Sequence, residues 1–103
     1  LPLDLTLTAA RKLLKEIQAS CLVLVRPHAH RDHPERKFTA PEIIDLVRRG
    51  TNLKDNKSLS AIEMSFMLIV RDDEDKLCEL ALLFEKDAAT GSYIIVCHAY
   101  RKV

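Results

Sequence analysis

Three apolar runs close this chain, and the two connections between them are too short for anything but hairpins. The runs cover 64–71, 77–86 and 92–101, separated by the acidic turn Asp72-Asp73-Glu74-Asp75 and by Asp87-Ala-Ala-Thr-Gly-Ser92. A parallel return needs a crossover of about a dozen residues or more, so connections this short commit the runs to an antiparallel meander. Alternation within the runs puts Phe66, Leu68, Val70, Cys78, Leu80, Leu82 and Phe84 on a buried face. A sheet with an apolar face must be covered, so the preceding residues have to supply a second layer.

Two helices can supply it. Residues 8–19 carry Ala10, Leu13, Leu14 and Ile17 at i, i+3, i+4 and i+7, with Thr8 as the N-cap. Thr39-Ala-Pro-Glu42 spells a capping box, Ile43, Ile44, Leu46 and Val47 form the buried stripe, and Gly50 ends the helix. Between the helices, Cys21 to Arg26 suits a strand, and the HAHRDHPER segment reads as a basic turn or short helix. Pro34 opposes a continuous helix there. The polar stretch 51–62 reads as a long loop. The expected fold is α+β, an antiparallel sheet of about four strands with the N-terminal helix and the second helix packed on one face. Its 103 residues make a single domain, 1–103, with one modest core.

The net charge of +1 selects no class of partner. No apolar stretch is long enough to span a membrane and no basic-then-apolar leader opens the chain, so no membrane partner is expected. Cys21, Cys78 and Cys97 are odd in number and form no C-x-x-C pair. Their apolar surroundings suit buried free thiols in a reducing cytoplasm, which is the expected location.

The sharpest local spelling is HAHRDH at 28–33, which sets His28, His30, Asp32 and His33 in the H-x-H-x-D-H pattern of metallo-β-lactamase-type hydrolases. Neutral imidazoles hold zinc, and a neighbouring carboxylate can bind the metal or deprotonate its water. Three facts oppose this reading. The chain is too short for that two-sheet sandwich, only His98 lies downstream as a further histidine ligand, and a helical 28–33 would turn His28 away from His30 and His33. The leading expectation is therefore no metal cofactor. A zinc-binding protein or small metallohydrolase using His28, His30, Asp32 and His33 stays open as the alternative, and so does a solvated basic turn.

Taken end to end, residues 4–102 resemble a family of small bacterial proteins related to the MqsR-like and RelE-like toxins of toxin–antitoxin systems. The resemblance rests on the helix Leu7-Thr-Ala-Ala-Arg-Lys-Leu-Leu-Lys-Glu-Ile17, the pairs His28-Ala29 and Glu35-Arg36, and the capped helix from Thr39 to Gly50. It ends on the last strand, Ile94-Ile95-Val96-Cys97-His98-Ala99-Tyr100-Arg101. Two positions depart from the pattern: Pro34 interrupts a segment that is usually helical, and His98 replaces a small hydroxyl residue. The resemblance implies a RelE-like fold, a metal-independent endoribonuclease acting on mRNA, free or on the ribosome, and a cognate antitoxin as protein partner.

Cutting RNA without a metal needs a base for the 2′-hydroxyl, an acid for the leaving oxygen, and cations around the phosphate. His28 and His98 are the candidate acid–base pair, and Tyr100 is the candidate to orient phosphate or stack on a base. Strict alternation groups Ile94, Val96, His98 and Tyr100 on one face, and Tyr93, Ile95, Cys97 and Ala99 on the other. Arg26, Arg31, Arg36, Arg71 and Arg101 are the candidate phosphate holders. The acidic turn 72–75 offers a basic antitoxin segment a place to dock, or is only a solvated hairpin tip. A member of the fold that binds RNA or protein without catalysis is the remaining alternative.

Overall fold

The computed structural model describes residues 3–20, 23–25, 39–55 and 64–102. Helix α1 (Leu7–Ser20) leads to strand β1 (Val23–Val25), followed by α2 (Ala40–Arg49) and β2 (Asn52–Asp55). The strands β3 (Phe66–Arg71), β4 (Leu77–Lys86) and β5 (Tyr93–Lys102) then close the chain. The sheet is five-stranded in the order β1-β5-β4-β3-β2. Strands β2 to β5 are antiparallel throughout, while β1 joins β5 in parallel, with Val23 opposite Ile95 and Val25 opposite Cys97. The α+β class and the three closing strands agree with the sequence reading.

The helices start where side chains satisfy their free N–H groups. In α1 the cap is Thr6, two residues before the expected Thr8: its Oγ1 accepts the Ala9 N–H at 3.2 Å and its carbonyl the Ala10 N–H at 2.9 Å. In α2 the capping box forms as spelled, Thr39 Oγ1 accepting from Glu42 N and Glu42 Oε1 accepting from Thr39 N, each at 3.3 Å. Thr39→Ala removes one arm of that box. It is expected to cost about 1 kcal/mol, a fall of roughly 4–8 °C in melting temperature for a domain of this size, read by thermal unfolding.

One face of the sheet carries the core. Ala10, Leu13, Leu14 and Ile17 of α1 and Ile43, Leu46 and Val47 of α2 pack with Phe66, Leu68 and Val70 of β3 and Cys78, Leu80, Leu82 and Phe84 of β4. The Phe66 and Phe84 rings meet edge to face at 5.7 Å. Gln18 ties the layers by donating from Nε2 to the carbonyls of Val47 at 2.8 Å and Gly50 at 2.7 Å.

Three features of the sheet differ from the sequence reading. It has five strands rather than about four, and β1 lies parallel to β5 where an antiparallel sheet was expected. Asn52–Asp55 falls in the stretch expected to be loop but is a strand, and its only apolar residue, Leu53, is fully buried opposite Leu68. The third difference lies in β5. Leu82 is opposite Cys97 but Ala81 is opposite Ala99, so the β4–β5 ladder skips His98. This β-bulge reverses the alternation beyond it. Tyr100 therefore joins Ile95 and Cys97 in the core, the face opposite to the one expected for it.

Candidate functional site

Strands β1, β3 and β5 run in the same direction; β3 and β5 end together, at Leu77 and Cys78 of β4, while the short β1 ends opposite Cys97. Arg71 is the last residue of β3, opposite Leu77 of β4. Arg101 stands opposite Glu79, two positions further along β4. The two arginine positions thus lie on the strands flanking β4, two inter-strand spacings across and two residues along, about 12 Å apart. Strand β1 ends opposite Cys97, five residues before the end of β5, and the residue after Val25 in the sequence is Arg26. His98 sits in the bulge on the strand next to β1, one residue beyond the Cys97 that pairs with Val25.

Burial separates the candidates. His98 is 6% exposed, with its Nδ1 out of contact with solvent. Tyr100 is 8% exposed within the core. Arg71 is exposed but engaged: Nη1 donates to the Asp75 carbonyl at 2.9 Å and Nε lies 3.8 Å from the Asp75 carboxylate. The acidic turn therefore offsets part of its charge. Cys97, beside the bulge, donates its thiol to the Ala99 carbonyl at 3.5 Å. Burial pushes that thiol up to about 12, with the hydrogen bond opposing, so it stays protonated at neutral pH and is no nucleophile. Cys78 and Cys97 are both buried free thiols.

His28, His30, Asp32, His33, Arg26, Arg31 and Arg36 lie outside the described residues. Of the expected site, the structure brings Arg71 and Arg101 to one end of the sheet, leaves His98 in the middle of β5, and separates Tyr100 from the face on which it was grouped with His98. Glu79 was missed. It is a half-buried carboxylate between the two arginine positions, and the signal for it is a lone charge among Leu77, Leu80, Ala81 and Leu82.

Beside this end, a cleft of about 350 Å³ opens between α2 and the β3–β4 turn. Glu42, Asp45, Asp72, Asp73 and Glu74 line it. Arg49 spans it, 2.9 Å from Asp45 and 3.4 Å from Asp73. The acidic turn is thus continued by two carboxylates of α2 that lie some thirty residues earlier in the sequence. Among the described residues no group of three or more His, Cys, Asp or Glu is arranged to hold a metal ion, and no helix is long and apolar enough to cross a membrane.

No family model, curated protein or solved structure matches the chain.

Proposed function

We propose that the chain is the toxin of a toxin–antitoxin pair, a metal-independent endoribonuclease whose RNA site is the C-terminal end of the sheet. The observation that carries the reading is the pair of arginine positions, Arg71 and Arg101, at the shared end of β3 and β5, on a sheet whose β1 runs parallel to both. Arg26 follows β1 in the sequence, and the bulge at His98 adjoins the end of β1, further back along β5 from the arginine pair. His28 comes three residues after Val25, and three residues of chain reach at most about 11 Å, which suits an approach to His98. In this reading His28 and His98 move the protons, while Arg26, Arg71 and Arg101, with Arg31 and Arg36, hold the phosphate. Tyr100, buried in the core, positions the strand and has little ring surface left for stacking. A basic antitoxin segment fits the acidic cleft by charge.

Purified chain incubated with mRNA and a chelator is expected to cut it, with a bell-shaped pH profile from the two imidazoles. His28→Gln and His98→Gln should each lower the rate by about 10²-fold or more while circular dichroism stays unchanged. Undiminished cutting by both folded variants would remove the site. Cutting abolished by chelator and restored by zinc would overturn the metal-free mechanism in favour of His28, His30, Asp32 and His33.

The burial of His98 favours one second reading, a non-catalytic RNA-binding member of the fold. It would retain RNA without cutting it, with an affinity that falls steeply with salt.

A further inference from the structure

Strand β2 is the outer strand of the sheet and, among the described residues, pairs with β3 alone. Its hydrogen-bonding parity follows from bonds elsewhere in the sheet. The Leu3 N–H donates to the Phe84 carbonyl and the Asp72 N–H to the Lys76 carbonyl. Even-numbered residues of β3 and β4 therefore face each other, and the odd-numbered Met67 and Ile69 face β2. Their partners there are Lys54 and Asn52. Leu53 and Asp55 are left with both backbone groups pointing outward, away from the sheet.

That outward edge is self-complementary. Pairing β2 with β2 of a second copy about a two-fold axis at Leu53 would let the two leucines exchange both N–H···O=C bonds. The same register sets Asn52 opposite Lys54 and Thr51 opposite Asp55, so no like charges meet. An edge of this kind invites continuation of the sheet into a second molecule.

The Leu53 carbonyl, however, is already taken. Arg11 of α1 donates to it from Nε at 3.1 Å across 42 residues of sequence. The same solution recurs further along this side of the sheet. Beyond the end of β2, the carbonyl of Arg71 accepts from Nη1 of Arg49 in α2 at 2.7 Å. Each helix thus supplies one arginine to one carbonyl on the β2 side of the sheet.

We propose that Arg11 is a lock on the β2 edge: its bond to the Leu53 carbonyl keeps the chain monomeric, and its loss opens the edge to a second copy of the chain. The guanidinium removes the acceptor at the centre of the two-fold pairing and brings a cation against any incoming backbone. Arg49 guards a carbonyl outside the self-complementary segment, so it contributes no such control.

The mass of the full chain in solution, by light scattering across a concentration series, tests this. Wild type should read 11.7 kDa. Arg11→Met keeps the aliphatic stem and removes the donor, and should shift with concentration to twice that mass. Arg49→Met should stay at the wild-type mass. Adding Asp55→Pro to Arg11→Met removes an outward N–H without touching a β2–β3 bond and should restore the monomer. Should Arg11→Met fail to fold, Arg11→Gln is read in its place. A folded Arg11 variant that stays monomeric throughout overturns the proposal. So does a wild-type dimer that Asp55→Pro dissociates, because the edge would then be open with Arg11 in place.

Discussion

Gly50→Ala is expected to destabilise the chain by roughly 1–3 kcal/mol, and Gly50→Val by more, as read by urea unfolding. The reason is space rather than backbone freedom. Gly50 has φ of −73° and ψ of 142°, a conformation open to any residue. On backbone entropy alone, alanine there would stabilise by about 0.4–1 kcal/mol. A methyl group, however, would stand 2.7 Å from Cδ2 of Leu68 and 2.9 Å from its Cγ. Leu68 is fully buried between its register partners Leu53 and Leu80, so it cannot swing aside without displacing core neighbours. Gly50 cannot retreat either, because Gln18 holds its carbonyl and its N–H donates to the Leu46 carbonyl. The steric term therefore exceeds the entropic one. Leu68→Val, combined with Gly50→Ala, should return part of the loss, giving a coupling that two distant sites would not show. An alanine variant as stable as wild type would mean that the α2–β3 approach is looser than the geometry states.

What the sequence made legible is what local signals encode. The capping box at Thr39, the stripes of both helices and the three closing strands need only neighbours within about one or two turns of chain to be recognised. Strand β2 escaped because Asn52-Leu53-Lys54-Asp55 offers a single apolar residue, too few to show a period. Its state is decided by the contact of Leu53 with Leu68. The parallel seat of β1 beside β5 escaped for a related reason: its partner lies some seventy residues away and leaves no mark on Val23-Leu24-Val25. The role of Gly50 was half legible. A glycine after a basic last turn reads as a helix stop, while the leucine it must admit is known only from the packing. At the candidate site, Arg71 and Arg101 could be named from residue type, but their sharing one end of the sheet depends on strand order. The grouping of His98 with Tyr100 failed because period-2 reasoning has no means of seeing a bulge.

That bulge yields the sharpest test of the fold. Deleting His98 should leave a folded protein, whereas deleting Val96, two residues away, should cost on the order of 3 kcal/mol or more. Without His98 the ladder reads Leu83–Val96, Leu82–Cys97, Ala81–Ala99 and Leu80–Tyr100 in unbroken succession, so every other residue keeps its partner and its face. The losses are the contacts of the buried His98 side chain, the local twist of the bulge and the bond from Cys97 to the Ala99 carbonyl. Without Val96, the ladder closes only by moving Cys97 opposite Leu83 and His98 opposite Leu82. An imidazole then enters the core position that a thiol had filled, on the face where Phe84, Ile95 and Tyr100 pack. Urea unfolding of the two deletions, side by side, should rank them clearly. A folded Val96 deletion beside an unfolded His98 deletion would place the slip elsewhere in β5. The His98 deletion also separates scaffold from chemistry: it should keep the melting transition and lose RNA cleavage, a pairing that no purely structural role for His98 predicts.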